Sequence, residues 1–133
     1  MTTNKTDREL LELAAKAAGY VIDEPARNGS ARMWVYLKDA KPNNDKEMPI
    51  FMWNPHYDDG DVLRLQVALG IAVTPYPVYG QPKHSVIAKQ YRQGDMMREP
   101  NPTEVIEPYN GDPYAATRRA IVRAAAAIGE ALP

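Results

Sequence analysis

Cysteine is absent from this chain. That removes disulfides, thiolate nucleophiles and zinc sites of the cysteine type. Charge of one sign is not in excess either. Sixteen Lys and Arg face seventeen Asp and Glu, a formal charge of −1. A protein dedicated to nucleic acid carries a basic surplus that neutralises phosphates, so that class is set aside. No run approaches the roughly 18 apolar residues of a membrane helix, and Met1 to Thr6 lack the apolar core of a signal peptide. No membrane partner and a cytosolic location are the expectations. The histidines are His56 and His84 alone. The nucleophile elbow Gly-x-Ser-x-Gly, the phosphate loop Gly-x-x-x-x-Gly-Lys and the dinucleotide loop Gly-x-Gly-x-x-Gly do not occur. No catalytic residue, cofactor or metal is assigned on these grounds.

What is present suits one domain over residues 1–133, since 44% of residues are apolar and 25% charged, the balance of an ordinary globular protein. A chain of this length buries roughly two-thirds of its extended surface, enough for one core.

Three segments read as helices. Thr6-Asp7-Arg8-Glu9 forms a capping box, in which the Thr6 hydroxyl accepts from the Glu9 amide. Leu10, Leu13, Ala14 and Ala17 follow at helical spacing, and Gly19 supplies a left-handed stop. The second helix follows the turn Trp53-Asn54-Pro55-His56-Tyr57, capped by Asp58 and ended by Gly70, with Asp61 complementing the helix dipole. Val62, Leu63, Leu65, Val67 and Leu69 make it apolar nearly all round, so cover on more than one side is expected. The third opens on Asp112-Pro113, a cap and then a proline at the first helical position. At about 100° per residue, Ile121, Ala125, Ile128 and Leu132 share a stripe. Arg119, Arg123 and Glu130 fall opposite, toward water. Tyr114 and Arg118 fall on the packing side, an unexpected place for a guanidinium.

Between the helices the period becomes two. Arg32 to Leu37 alternates, with the β-branched and aromatic content of a strand. Ile50 to Trp53 is apolar on both faces and reads as an internal strand. The two should form an antiparallel hairpin across the polar Lys38–Pro49 connection. Ile71 to Thr74, Ser85 to Tyr91 and Thr103 to Glu107 are further strands, and Pro75, Pro77 and Pro82 demand an edge position or an irregular turn. Gln93 to Pro102 reads as a loop. This order gives a sheet with helices packed on it.

Three stretches are similar to a known family. Trp53-Asn54-Pro55 followed by Asp58-Asp59-Gly60-Asp61-Val62-Leu63-Arg64-Leu65 resembles a signature of phage proteins with the phage ABA sandwich domain. Asp112 to Ala125 resembles that family's closing helix, and Glu9 to Gly19 its opening one; nothing from Thr74 to Pro108 matches. The resemblance implies a phage or prophage setting and an α/β/α-type arrangement, and no established activity. The expected fold is therefore α+β: a small α/β/α-type sandwich, with a mostly antiparallel sheet of four to five strands and three helices packed on it.

Candidate sites divide into chemical and structural readings. His56, Asp58, Asp59 and Asp61 suggest a divalent metal or a general base. Turn and cap formation explains the same residues more simply. Arg118 near the apolar stripe must snorkel, pair with an acid such as Asp61, or serve an anion, for which a guanidinium is well shaped. Tyr76 and Tyr79 in a proline-rich loop, with Tyr109 before the last helix, suit stacking on a base or pinning a loop. Trp34 and Trp53 read as core or half-buried packing. A ligand site would thus draw on Arg118, Tyr114, Tyr76, Tyr79, Tyr109 and Trp53. The leading expectation is a small accessory protein in the host cytosol that acts by binding. It would sequester a nucleotide-type anion or block a host (defence) protein, with a homo-oligomer open. The alternative is a metal-assisted phosphoesterase on His56, Asp58, Asp59 and Asp61.

Overall fold

The computed structural model describes residues 5–22, 33–38, 51–76, 84–90 and 104–133. They form an α+β fold in the order α1 (Asp7–Ala18), β1 (Tyr20–Ile22), β2 (Met33–Leu37), β3 (Phe51–Trp53), α2 (Asp59–Leu69), β4 (Ile71–Tyr76), β5 (Ser85–Gln90), β6 (Val105–Pro108) and α3 (Pro113–Ala131). The helix ends follow their caps. Thr6, Asp58 and Asp112 each accept an amide hydrogen bond three residues on, and Gly19 and Gly70 close α1 and α2 with φ of 77° and 63°. Such backbone is open to glycine at no steric penalty. Among the described residues no helix is long and apolar enough to cross a membrane.

The expected single sheet is corrected. The described strands form two antiparallel sheets of three, ordered β1-β2-β3 and β4-β5-β6. The additional strand, Tyr20–Ile22, directly follows the Gly19 stop and is too short to show a period. It pairs along β2, Tyr20 opposite Leu37 and Ile22 opposite Val35. The β2–β3 hairpin partners are as expected, with Trp34 opposite Met52. Among the described strands β3 pairs with β2 alone and is not internal, which explains why one of its faces is open at Met52. Trp34, opposite it, is exposed as well, whereas Trp53 on the inner face is 1% exposed. Tyr20 meets Phe51 and Trp53 edge to face, with centroids 5.4 and 5.3 Å apart, the arrangement favoured by ring quadrupoles. In the second sheet β4 is an outer strand and carries Pro75, where a missing N–H is tolerated. Arg32, Ile50, Tyr91 and Thr103, at the ends of expected strands, lie outside the described residues, as do the connection from 39 to 50 and the loop from 93 to 102.

Helix α3 organises the core. It packs on α1, α2 and all three strands of the second sheet. Ala116, Ala120, Val122, Ala124 and Ala125 have no accessible surface, and Ile121 has almost none. Its apolar surface is therefore wider than one stripe. Alanine at so many positions shortens the distance to both neighbours, and Gly129 shortens it further. A Cβ added at Gly129 would stand 2.0 Å from the Leu13 carbonyl oxygen and 2.8 Å from its carbon. By contrast α2 buries Val62 and Leu65 but leaves Leu63 and Val67 open, so the expected second cover is not seen among the described residues.

Gly129→Ala is expected to destabilise the protein by ~3 kcal/mol, because overpacking against backbone outweighs the gain of about 1 kcal/mol from alanine's helix propensity. A thermal melt should fall by roughly 10 °C; an unchanged or raised melting temperature would refute the close approach.

Candidate functional site

The turn before α2 is a dense joint. Asn54 is buried, and its carbonyl accepts from the amides of Tyr57 and Asp58 while its side-chain oxygen accepts from the His56 amide. Pro55 presets one corner of the turn. Asp58 Oδ2 accepts from the Asp61 amide at 2.8 Å. Asp61, itself buried, accepts from the Asn54 amide at 2.9 Å and from Arg64 Nη2 at 2.8 Å. Asp59 points outward and meets Arg118 Nη1 at 2.7 Å. The carboxylates thus have separate structural duties, and among the described residues no group of three or more His, Cys, Asp or Glu is placed to hold a metal ion.

Arg118 is the link between α3 and this turn. Besides Asp59, its Nε donates to the His56 carbonyl at 2.9 Å. The side chain is 17% exposed and that of Asp59 is 83% exposed. Its acid is therefore Asp59 and not Asp61, whose carboxylate turns back on its own helix. Tyr114, one turn earlier, is 74% exposed and does not lie on the packing side. Near its first turn α3 has not yet reached the layers that enclose its middle.

Arg119 and Arg123 are also corrected. They do not simply face water: Arg119 Nε donates to Glu107 Oε2 at 3.1 Å, and Arg123 Nη1 donates to Glu107 Oε1. Register explains it. Val86 stands opposite Glu107 and Ala88 opposite Val105, so Glu107 shares the inward face of β6 with core residues. Its side chain is 5% exposed, and two guanidiniums supply the charge and hydrogen bonds that such burial requires.

The remaining candidates are dispersed. Trp53 is part of the core against Tyr20, and its Nε1 has no hydrogen-bond partner among the described residues. Tyr109 stacks on His84, centroids 6.1 Å apart and planes within 10°, and its amide donates to the His84 carbonyl. Tyr76 ends β4, paired with Ser85; Tyr79 lies outside the described residues. Of the proposed ligand residues whose side chains are described, Tyr114 and Arg118 stand one turn apart on α3. A residue that sequence reasoning passed over joins them: Tyr57, 70% exposed, lies between His56 and Asp59, the two residues that Arg118 grips. An aromatic after Asn-Pro-His in a tight turn was the available signal. Glu107 was also missed, although two arginines four residues apart signal a shared carboxylate. Comparison with protein-family models, with curated proteins and with solved structures finds no match to this chain.

The two ion-pair sites should respond differently to substitution. Glu107→Ala strands two partly exposed guanidiniums and empties a buried position, an expected loss of ~3 kcal/mol. Arg118→Met leaves an already solvated Asp59 and one unpaired carbonyl, an expected loss of ~1 kcal/mol. Chemical denaturation of both variants checks the order, and equal losses would contradict it.

Proposed function

We propose that this chain is a non-catalytic binding protein of phage or prophage origin that acts in the host cytosol by docking on a host protein, a defence factor being the leading class. The observation that carries this reading is the exposure of Tyr57 and Tyr114, two residues before Asp59 and four before Arg118, the residues joined by the bridge. Tyrosine and arginine are the side chains that most often concentrate binding energy at protein interfaces. Asp58, Asp59 and Asp112 are exposed in the same segments, and the guanidiniums of Arg118 and Arg64 are already engaged by Asp59 and Asp61. The complementary partner presents a basic segment, whose cations meet carboxylates and ring faces together. The phage setting draws its support from the resemblance of the turn–helix segment and the closing helix.

Sequestration of a nucleotide-type anion has less behind it, because the Arg118 guanidinium already serves Asp59 and the His56 carbonyl. The phosphoesterase alternative has less still, since Asp58, Asp59 and Asp61 are each committed to a cap, a cross-helix pair or the turn.

A short arginine-rich peptide is the probe, titrated while backbone amide resonances are followed. Shifts should concentrate at residues 57–59 and 112–118, and the double substitution Tyr57→Ala, Tyr114→Ala should weaken binding about tenfold. Shifts spread evenly over all acidic surface would overturn the docking site. A melting-temperature rise with a nucleotide or cyclic dinucleotide, which at 100 times its dissociation constant adds about 2.7 kcal/mol, would transfer the function to sequestration.

A further inference from the structure

We infer that His56 is a proton-sensitive latch: when its ring gains a second proton, the turn that anchors Arg118 and presents Tyr57 lets go of α3. The inference stands on where the ring sits. Its Nε2 is buried and has no hydrogen-bond partner among the described residues. The ring also hydrogen-bonds the Asp7 backbone at the start of α1. Three elements thus converge on one imidazole: α1, the turn before α2, and α3.

The charges facing it are mixed. From α1 the Asp7 carboxylate favours a cationic ring; from α3 Arg119 and Arg123 oppose it. Those two arginines are partly neutralised by Glu107 of β6. On its own segment Asp58 and Asp61 are turned to the helix cap and to Arg64, and Asp59 is turned to Arg118. Among the described residues Asp7 is the acid that favours a charged ring, yet neither it nor any other carboxylate hydrogen-bonds Nε2. A buried N–H without an acceptor is destabilising, more so when it carries charge.

Burial is the main influence on the ring and pushes its pKa below the ordinary 6.5. The folded protein consequently binds this proton more weakly than the unfolded chain does. Stability from the neutral ring is complete above pH 6.5 and drains away as the pH falls toward the lowered value, where protonation of the folded form ends the loss. The same residue holds the mechanical connection, because the His56 carbonyl accepts from Arg118 and its amide donates to Asn54. Moving the ring out to water must disturb both bonds. The effect is local: the amides of Tyr57 and Asp58 depend on the turn, whereas those of the α3 interior do not.

The test uses the full chain between pH 7.5 and 5.5, above the range in which unperturbed carboxylates titrate. The unfolding equilibrium constant should rise on acidification by up to tenfold per pH unit, the slope of one proton. His56→Gln should remove most of that slope. Amide exchange, corrected for its intrinsic pH dependence, should show protection lost first at Tyr57 and Asp58 and retained at Val122 and Ala124. A flat wild-type profile, an unchanged slope in the variant, or uniform loss of protection would each overturn the latch. If His56→Gln does not fold, titration of the His56 ring resonance in the wild-type chain decides: a midpoint below 6.5 supports the inference, and one at or above 6.5 refutes it.

Discussion

The close approach of α3 to α1 is the constraint on which the other contacts depend. Gly129 lies against the Leu13 backbone, where even a methyl group would collide, and alanines, with Ile121 and Val122, line the rest of the buried helix surface. Small side chains bring little apolar area per residue, so a helix built this way gains by being enclosed on several sides. That enclosure sets α1, α2 and the sheet β4-β5-β6 all against α3. The positions of its arginines follow directly. Residues at i and i+4 that would face water on a surface helix here face the edge of a sheet.

Most of the backbone plan was legible because its signals are local. Thr6, Asp58 and Asp112 cap through contacts three residues long, and Gly19 and Gly70 stop helices through their own dihedral angles. These devices need no tertiary partner. The β2–β3 hairpin was legible for the same reason. The division into two sheets was not. Tyr20–Ile22 has three residues, too few to display alternation, and its strand character comes from pairing with β2. Likewise the apolar girth of α2 correctly signalled a helix but overstated its cover, since hydropathy does not specify which faces find neighbours.

The side-chain chemistry was legible only in part. That Arg118 needed a partner followed from helix geometry. Which partner it took depended on the rotation of α2, which turns Asp61 inward to Arg64 and Asp59 outward to α3. Glu107 could be recognised as buried only from the register of β6 against β5. Two aromatics, one a candidate and one passed over, separated for a similar reason. Trp53 and Tyr57 are four residues apart, yet the proline-bearing turn sends one into the core and leaves the other in solvent.

These particulars converge on how α3 uses its guanidiniums. Arg118 holds the turn before α2; Arg119 and Arg123 hold β6. Each clamp spans elements far apart in sequence, and each consumes charge that would otherwise attract an anion. A buried carboxylate gripped this way rarely adds net stability over an apolar core. Its value lies in direction: a guanidinium fork donates to oxygens in one plane and so orients what it holds. The opening turns of α2 and α3 are thereby held together, and the two tyrosines beside the bridge are displayed on a rigid footing. Rigid aromatics lose little conformational freedom on binding. The surface most suited to a partner is therefore a consequence of the same charges that, read one residue at a time, suggest a catalytic or anion-binding cluster.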